Sequence, residues 1–277
     1  MKAVVIGGGS IGKRHSNNLN DLGIETRIVD VDEIQNIDNI LEDNVFDIGL
    51  VCSPNIYHIE HCIKLATHNI PIFCEKPFYS TDVGLEQLLS IVEDRKLTTM
   101  VGCNLRFNPK IESINPNAKY INVYFGYDLK KWRPNTNHLK SYSANKHLGG
   151  GVLLDVIHEL DYLYSRFGSI KDISYTKDKL TDITNDTEDL VVGRVIFNNG
   201  TIADFTLNYL SETYQRYYDV LDEGVLKRVD IRVDNEDYVN QIKHFIECVQ
   251  LARQSTNNFR EAHGLLKSIN QKYIKYD

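Results

Sequence analysis

The sequence lacks the features that mark several specialised classes of protein. Its 277 residues carry a formal net charge of −7 and no basic block, so we expect no nucleic-acid partner. No apolar run approaches the length of a membrane span, and we expect no membrane partner. A strand-like run begins already at Lys2, which leaves no room for a signal peptide and predicts a cytoplasmic protein.

Cysteine is scarce and shows no pairing pattern. The five cysteines are odd in number and widely spaced, and most lie in or beside apolar runs, which predicts reduced, buried thiols. His58, His61 and Cys62 cluster on one predicted helix, but no second ligand group stands at a recognisable spacing. We therefore predict no metal site.

A glycine-rich turn near the N-terminus is the first positive indication of function. The run GGGSIG follows a short, β-branched run that ends at Ile6, and it precedes a predicted helix. In this strand–turn–helix setting, G-x-G-x-x-G is typical of dinucleotide binding. Gly7 allows the tight turn, Gly9 lets a pyrophosphate approach the backbone, and Gly12 lets the helix pack close to the strand.

The second predicted strand bears on the choice between NAD and NADP. It runs from Thr26 to Asp30 and ends in a carboxylate about 20 residues after the glycines. An aspartate there accepts hydrogen bonds from the ribose hydroxyls and repels a 2′-phosphate. Asp32 takes this role if the strand ends later, so the carboxylate is assigned to the pair. The sequence favours NAD over NADP.

The order of predicted elements indicates two domains of the α/β class. Strands and helices alternate as far as residue 108, which predicts a parallel, doubly wound Rossmann sheet. It is abbreviated after strand 2, because residues 31–46 leave room for one helix. The helix after the fourth strand is predicted to be capped by Ser80 or Thr81. Strand-like runs dominate from residue 109, which predicts that 109–277 form an α+β domain with a mainly antiparallel open sheet.

Glu75-Lys76-Pro77 directly follows the fourth predicted strand and is the first candidate for chemistry. Ligands of such sheets lie beyond the carboxyl ends of the strands, where Ser53 and Asn104 also stand. A residue before proline is held extended, which aims the lysine into the cofactor crevice. Lys76 is then able to stabilise alkoxide character as a hydride leaves. The alternative is an ordinary surface lysine.

The second candidate group lies on one long helix predicted from Gly150 to Phe167. Asp155, His158, Glu159 and Tyr162 are spaced so that they share the face opposite an apolar stripe. Acidic and imidazole groups on a buried helix destabilise the fold unless they have hydrogen-bond or ion-pair partners or take part in catalysis. Histidine is also the side chain that exchanges a proton near neutral pH. A satisfied interior histidine with a carboxylate partner is the alternative.

Several motifs together resemble one family, the glucose–fructose oxidoreductase / inositol dehydrogenase (Gfo/Idh/MocA) family, across essentially the whole chain. They stand in the family's order and spacing and comprise Gly7–Gly12, Ser53-Pro-Asn-Ile-Tyr-His58, Glu75-Lys-Pro77, Arg106-Phe-Asn-Pro109 and Gly149-Gly-Gly-Val-Leu-Leu-Asp155. The stretch from Trp132-Arg-Pro to Leu163 resembles a subgroup often associated with bacterial surface-sugar biosynthesis.

The resemblance implies a catalytic lysine at Lys76, a helix aspartate at Asp155 and a histidine at His158. It also implies reversible oxidation of a sugar or cyclitol hydroxyl, and a homo-oligomer formed through the C-terminal sheet. Two departures matter: the family's histidine usually stands four residues after its aspartate, where this chain has Glu159, and the short segment 31–46 trims the adenine side of the pocket.

The motifs and the family resemblance together predict an NAD(H)-dependent oxidoreductase whose small-molecule substrate is a sugar or sugar derivative. The residues predicted to contact the cofactor are Gly7, Gly9, Ser10, Ile11, Gly12, Asp30, Ser53, Pro54, Asn55, His58, Glu75, Lys76 and Asn104. Those predicted to act in catalysis are Lys76, Asp155, His158 and Glu159, and those predicted to bind substrate are Arg106, Trp132, Arg133 and Tyr162. Two other functions fit the same motifs: a redox-neutral, NAD-dependent glycosidase and a non-catalytic NAD sensor. The sequence selects neither the sugar, the direction of reaction nor the oligomer size.

Overall fold

The structure is a computed structural model and describes residues 1–132, 134 and 137–270. The chain forms two compact units. The N-terminal unit comprises Met1–Asn104 together with Asn235–Ala262, and the C-terminal unit comprises Leu105–Asp234 and the chain from His263 onward. The assignment of 1–108 and 109–277 to separate domains stays a prediction.

Residues 1–104 alternate strictly between strand and helix. Their regular elements are β1 Lys2–Ile6, α1 Ser10–Asp21, β2 Glu25–Val29, α2 Ile37–Glu42, β3 Ile48–Val51, α3 His58–Thr67, β4 Ile72–Glu75, α4 Leu85–Asp94 and β5 Thr99–Gly102. All four strand pairs are parallel, in the order β2-β1-β3-β4-β5. The predicted Rossmann sheet is confirmed, and so is the single helix between the second and third strands.

The middle strands of this sheet are apolar because both of their faces are covered. Every residue of β3, β4 and β5 is buried, which is the usual state of a parallel strand between helices. The predicted N-caps Ser80 and Thr81 are wrong: α4 begins four residues later, after Gly84, whose φ of 81° places it in the left-handed region.

The chain returns to this sheet near its end, which explains why the N-terminal unit includes residues 235–262. Helix α9 (Asn235–Gln250) is followed by a segment that lies along the free edge of β5. Val101 donates its N–H to the carbonyl oxygen of Asn257 at 2.8 Å, and the Asn257 side chain donates to the Val101 carbonyl at 2.9 Å. An edge strand with satisfied backbone groups offers no template for unwanted pairing.

The C-terminal unit is built on a six-stranded sheet. Its elements are α5 Pro109–Glu112, β6 Tyr120–Gly126, α6 Leu129–Trp132, α7 Val152–Asp155, α8 His158–Phe167, β7 Ile170–Asp178, β8 Leu190–Phe197, β9 Ile202–Asn208, β10 Gln215–Asp222 and β11 Val225–Asp230; α10 spans Phe259–Asn270. The strand order is β11-β10-β6-β9-β8-β7, and among the described strands of this sheet only β6 and β9 pair in parallel. The predicted mainly antiparallel sheet is confirmed.

The single long helix predicted over 150–167 is wrong, because the chain breaks it at two residues. Helix α7 ends at Asp155, Val156 leaves the helical region with ψ of 33°, and α8 begins at His158. No glycine or proline marks the break, so helical spacing across it does not place Asp155 on the face of α8.

Two buried histidines hold the end of β3 to the start of α3. The His61 Nδ1 lies 2.8 Å from the Ser53 hydroxyl oxygen, and the His58 Nε2 lies 2.9 Å from the Ser53 carbonyl oxygen. Burial, followed by the neighbouring His58 and Lys64, lowers the pKa of His61 to about 4. Burial also lowers the pKa of His58. Both rings are therefore neutral at pH 7.

None of the helices formed by the described residues combines the length and apolar character needed to cross a bilayer.

The buried His61 makes stability fall as the pH falls. Because its folded pKa lies below the ordinary value of about 6.5, the unfolded chain takes up the proton first, and stability is lost between pH 6.5 and the folded pKa. We expect His61→Gln to reduce the loss of unfolding free energy between pH 7 and pH 5 by on the order of 1 kcal/mol. Urea unfolding at both pH values measures it. His68→Gln, on a partly exposed residue just after the same helix, is the matched control, and an unchanged pH dependence in His61→Gln contradicts the account.

Candidate functional site

The glycine turn is shaped by two close backbone approaches. Gly7 has φ of 105°, and a Cβ there would lie 2.7 Å from the carbonyl carbon of Cys52 at the end of β3. A Cβ on Gly12 would overlap the carbonyl oxygen of Gly7. Larger residues at either position would therefore displace the turn from the sheet or α1 from the turn.

The opposite side of the turn is open. Gly9 is the N-cap of α1, and a Cβ built there meets no atom of the described chain within 4 Å. Gly9 and Ser10 are exposed, and Ile11 is half-buried. A twelve-residue helix that begins at an open turn presents unpaired N–H groups and the positive end of its dipole, which is the arrangement that holds a pyrophosphate.

Asp30 stands beside this turn at the end of β2. It is exposed, and its carboxylate lies so close to Gly8 that a Cβ on that glycine would overlap it. Its Oδ1 accepts the Val31 N–H at 2.9 Å, which fixes the carboxylate after the strand. Contact with the glycine turn favours Asp30 over Asp32 as the carboxylate that meets a ribose.

Buried side chains fix the loop after β3. Asn55 and His58 are buried, whereas Pro54 is exposed. His58 contacts backbone on both sides: its Nε2 reaches the Ser53 carbonyl, and its Nδ1 lies 2.8 Å from the Pro77 carbonyl oxygen. Both ring nitrogens thus lie within hydrogen-bond distance of backbone carbonyl oxygens, and the neutral ring donates its one N–H to one of them, so His58 lies between the two loops.

Lys76 follows β4 at the same edge of the sheet. It is half-buried, and its peptide bond to Pro77 is cis. The preceding residue, Glu75, is buried, and its Oε2 accepts the Lys76 N–H at 3.3 Å. Asn104, which follows β5, is buried as well, and its Nδ2 has no hydrogen-bond partner among the described residues.

The C-terminal unit surrounds Asp155 with hydroxyl groups. Its carboxylate, 2% exposed, accepts hydrogen bonds from the hydroxyls of Tyr142, of Ser143 at 2.7 Å and of Tyr209 at 2.9 Å. Burial, followed by the negative charge of Asp155, raises the pKa of Tyr209 well above its ordinary value, so that hydroxyl stays a donor. Asp155 is therefore a positioned acceptor in a polar cluster.

Glu159 and Tyr162 lie in a second group on α8. The Glu159 Oε1 lies 2.8 Å from the Nε of Arg216, and both side chains are almost fully buried. The Tyr162 hydroxyl is buried and has no hydrogen-bond partner among the described residues. Its pKa is raised well above the ordinary value, first by burial and then by the charge of Glu159. His158, the first residue of α8, is also buried.

The predicted substrate-binding residues have diverse surroundings. Arg106 is buried and binds both carboxylate oxygens of Asp161, with Nε–Oδ2 and Nη2–Oδ1 distances of 2.7 and 2.8 Å. A bidentate pair of this kind directs the guanidinium to its partner on α8. The Trp132 ring lies 5.3 Å from that of Phe125 and 6.3 Å from that of Tyr209, which contacts Asp155. Arg133 lies outside the described residues.

Sequence reasoning missed the partners of these acids. Tyr142, Tyr209, Arg216 and Asp161 satisfy the predicted acidic residues or pair with a predicted arginine, yet three of them lie more than 40 residues away from their partners along the chain. Only Tyr142 had a local signal, since it stands in the Ser-Tyr-Ser-Ala run near Asp155. The missed residue of the N-terminal unit is His15, whose Nε2 lies 2.7 Å from the Glu75 Oε1.

Comparison with known proteins agrees with this geometry. Residues 1–103 match the family model GFO_IDH_MocA, described as an oxidoreductase family with an NAD-binding Rossmann fold. An 82-residue stretch is 32% identical to an inositol 2-dehydrogenase of Rhizobium meliloti, covering 30% of this chain and 25% of that protein. Matched segments cover only 25–47% of the length of the curated relatives.

Solved structures show the same fold along nearly the whole chain. GenD2 from gentamicin A biosynthesis, in complex with NAD, superposes with a TM-score of 0.82 at 18% identity over 98% of this chain and 93% of that one. The UDP-N-acetylglucosamine 3-dehydrogenase GnnA of Acidithiobacillus ferrooxidans gives 0.78 at 15% identity over 98% and 96%. At such identities the likeness concerns the fold. The family model matches residues 1–103, and over that stretch the chain is similar to the oxidoreductases of the Gfo/Idh/MocA family, which have an NAD-binding Rossmann fold.

Proposed function

We propose that this protein is an NAD(H)-dependent oxidoreductase that transfers a hydride between nicotinamide and a hydroxyl-bearing carbon of a sugar or sugar derivative. One observation carries the proposal. A continuous series of contacts along the carboxyl edge of one parallel sheet joins the open glycine turn, Asp30, the Ser53 loop and the Lys76–Pro77 turn. Ligands of doubly wound sheets bind at this edge.

The residues at this edge fit a dinucleotide. The open side of Gly9 leaves space for a pyrophosphate at the N-terminus of α1, and an exposed carboxylate stands where a ribose would follow. Asp30 favours NAD over NADP, because a 2′-phosphate would meet its negative charge. The bound cofactor supplies the hydride acceptor or donor.

Three residues have proposed roles in the reaction. Lys76 donates a hydrogen bond to the substrate oxygen and stabilises its developing charge. His158 accepts the hydroxyl proton, and Asp155 orients the reacting groups through the hydroxyls that it binds. The ion pair between Glu159 and Arg216 favours His158 for proton transfer, since the Glu159 carboxylate already faces a buried guanidinium.

The substrate class is proposed from likeness and chemistry together. Among similar proteins are an inositol 2-dehydrogenase and a UDP-N-acetylglucosamine 3-dehydrogenase, both of which act on ring hydroxyls by their names. Trp132, whose ring packs beside the Asp155 cluster, offers the flat apolar surface on which a sugar ring stacks. We also propose Arg133 and Tyr162 as substrate-binding residues. From the subgroup resemblance we propose a role in surface-polysaccharide sugar biosynthesis.

Arg106 has a different proposed contribution. Because its guanidinium is bound by Asp161, it supports α8, the helix that begins with His158. Breaking a buried ion pair by removing one partner leaves an uncompensated charge. Arg106 therefore shapes the substrate side by holding that helix.

The C-terminal sheet is the proposed site of homo-oligomer formation. One face is covered by apolar core, while the other carries a half-buried pair of stacked rings, Tyr124 and Tyr217, at 5.1 Å between centroids. Val192 on the same sheet is 44% exposed. Residues of this kind are typical of interfaces between subunits.

Replacing Lys76 tests the catalytic proposal. We expect Lys76→Ala to lower turnover about 100-fold or more, because it removes the stabilising hydrogen bond to the substrate oxygen. The assay is NADH absorbance with NAD⁺ and a panel that includes myo-inositol and UDP-N-acetylglucosamine. NADH affinity, measured by fluorescence, should change little. Full activity in Lys76→Ala, or glycoside cleavage by the wild type without net NADH formation, contradicts the proposal.

Replacing Asp30 tests the preference for NAD. We expect Asp30→Ala to lower the ratio of NADH to NADPH affinity about tenfold, since the variant loses hydrogen bonds to the ribose and the repulsion of a 2′-phosphate. Fluorescence titration with each dinucleotide measures the ratio. Asp32→Ala is the matched control and should keep the wild-type ratio. Equal effects of the two substitutions would remove Asp30 from the site.

Charge on the open sheet face tests the oligomer. We expect the wild-type protein to sediment as a multiple of its 31.8 kDa mass and Tyr217→Glu to shift it toward the monomer, because a carboxylate resists burial in the interface. Val45→Glu, at an 85% exposed position of the N-terminal unit, is the control. A monomeric wild-type protein contradicts this part of the proposal.

A further inference from the structure

A buried pair of side chains links the dinucleotide-binding helix to the residue before Lys76. His15 on α1 is fully buried, and its Nε2 lies 2.7 Å from the Oε1 of Glu75 at the end of β4. Glu75 is 7% exposed. Burying a carboxylate in the core of a sheet is costly, so a chain that keeps one there needs partners for both of its oxygens.

The pair has a defined donor and acceptor. The Nδ1 of His15 is buried and has no hydrogen-bond partner among the described residues. The tautomer with the proton on Nε2 fits, because it donates to Glu75 and leaves no N–H group unpaired. The ring is packed edge-on against Phe73 at 5.2 Å and Tyr238 at 6.1 Å between centroids, which fixes its direction.

The sheet provides the space that the carboxylate occupies. Gly102 of β5 lies opposite Glu75 in the strand register, and a Cβ on this glycine would lie 2.9 Å from the Glu75 Oε1. With this space, Oε1 reaches His15 while Oε2 accepts the backbone N–H of Lys76 at 3.3 Å. One carboxylate thus contacts both α1 and the backbone that carries the proposed catalytic lysine.

The backbone on the other side of Lys76 is also held. The Pro77 carbonyl oxygen lies 2.8 Å from the Nδ1 of His58, whose second nitrogen contacts the Ser53 loop. Lys76 therefore extends from a backbone that is fixed before and after it by buried side chains.

We propose that His15 and Glu75 are positioning residues, which fix the backbone of Lys76 relative to helix α1 and so keep the lysine in register with a dinucleotide held at that helix. This inference rests on the proposed role of Lys76. Both Glu75 oxygens contact groups inside the fold, so we assign this carboxylate to positioning in place of the cofactor contact expected from the sequence. The pair then serves turnover, whereas cofactor affinity depends on the glycine turn and Asp30.

A pair of single variants and one double variant separate positioning from stability. His15→Phe and Glu75→Leu each leave a buried polar group without its partner and should lower the melting temperature. The double variant replaces both by apolar groups, which restores much of the stability. We expect the double variant still to show kcat lowered about tenfold or more, with KM and NADH affinity within about threefold of the wild type. His68→Phe, outside this group, is the control for the substitution type.

A second readout does not depend on turnover. After reductive ¹³C-methylation, the dimethylamino signal of Lys76 is assigned by its absence from Lys76→Arg. We expect this signal to shift when NAD⁺ is added to the wild type, and to lose most of that shift in the folded double variant. Glu75→Gln, which retains an acceptor for His15, should keep part of it.

The outcomes distinguish this inference from the proposed function. A stable double variant with wild-type kcat and the same Lys76 shift overturns the positioning role. If Lys76→Ala instead retains full turnover, the proposed role of Lys76 is wrong. The NMR comparison then still decides whether the pair positions that side chain. If neither myo-inositol nor UDP-N-acetylglucosamine is oxidised, the NMR comparison alone decides.

Discussion

The five strands of the N-terminal unit run parallel, so the residue that follows each strand lies at the same edge of the sheet. The polar loops at that edge are fixed because they contact one another. Gly7 and Gly12 allow the first turn to approach the end of β3, and His58 joins the β3 loop to the β4 turn. The proposed cofactor contacts of the glycine turn, the Ser53 loop and the Lys76–Pro77 turn depend on those close approaches.

The buried acidic side chains have hydrogen-bond or ion-pair partners inside the fold. Asp155 has three hydroxyl donors, Glu159 faces Arg216, and Asp161 binds Arg106. Buried acids without such partners would destabilise the fold, so these pairs are required whatever the reaction. In the proposed mechanism, the pairing of Glu159 with Arg216 is the reason for assigning proton transfer to His158.

Local patterns predict the N-terminal sheet well and the C-terminal site poorly. Strand β1 is found where the apolar run Lys2–Ile6 predicts it. Buried strands, glycine turns and the alternation of strand and helix can be recognised from residues that are neighbours in the sequence. The break between Asp155 and His158 has no such signal: no glycine or proline stands there, and the carboxylate is held by Tyr142 and Tyr209, which belong to other elements. Helical spacing therefore predicted that Asp155, His158, Glu159 and Tyr162 share one face. In the structure, Asp155 belongs to a different group of contacts from Glu159.

The same limit applies to His15. It stands three residues after Gly12 on the buried side of α1, where its sequence surroundings predict ordinary helix packing. Its partner, Glu75, is 60 residues away, and the space for the carboxylate comes from Gly102 on a third element. Contacts of this kind appear only once the sheet is assembled.

Binding of the dinucleotide to the open glycine turn is the central claim, and calorimetric titration of the purified protein with NADH tests it most directly. The account predicts saturable one-to-one binding, weaker binding of NADPH, and loss of NADH binding in Gly9→Val, which fills the open side of the turn without touching the sheet. Unchanged NADH binding in Gly9→Val, or no binding by the wild type, would contradict the account.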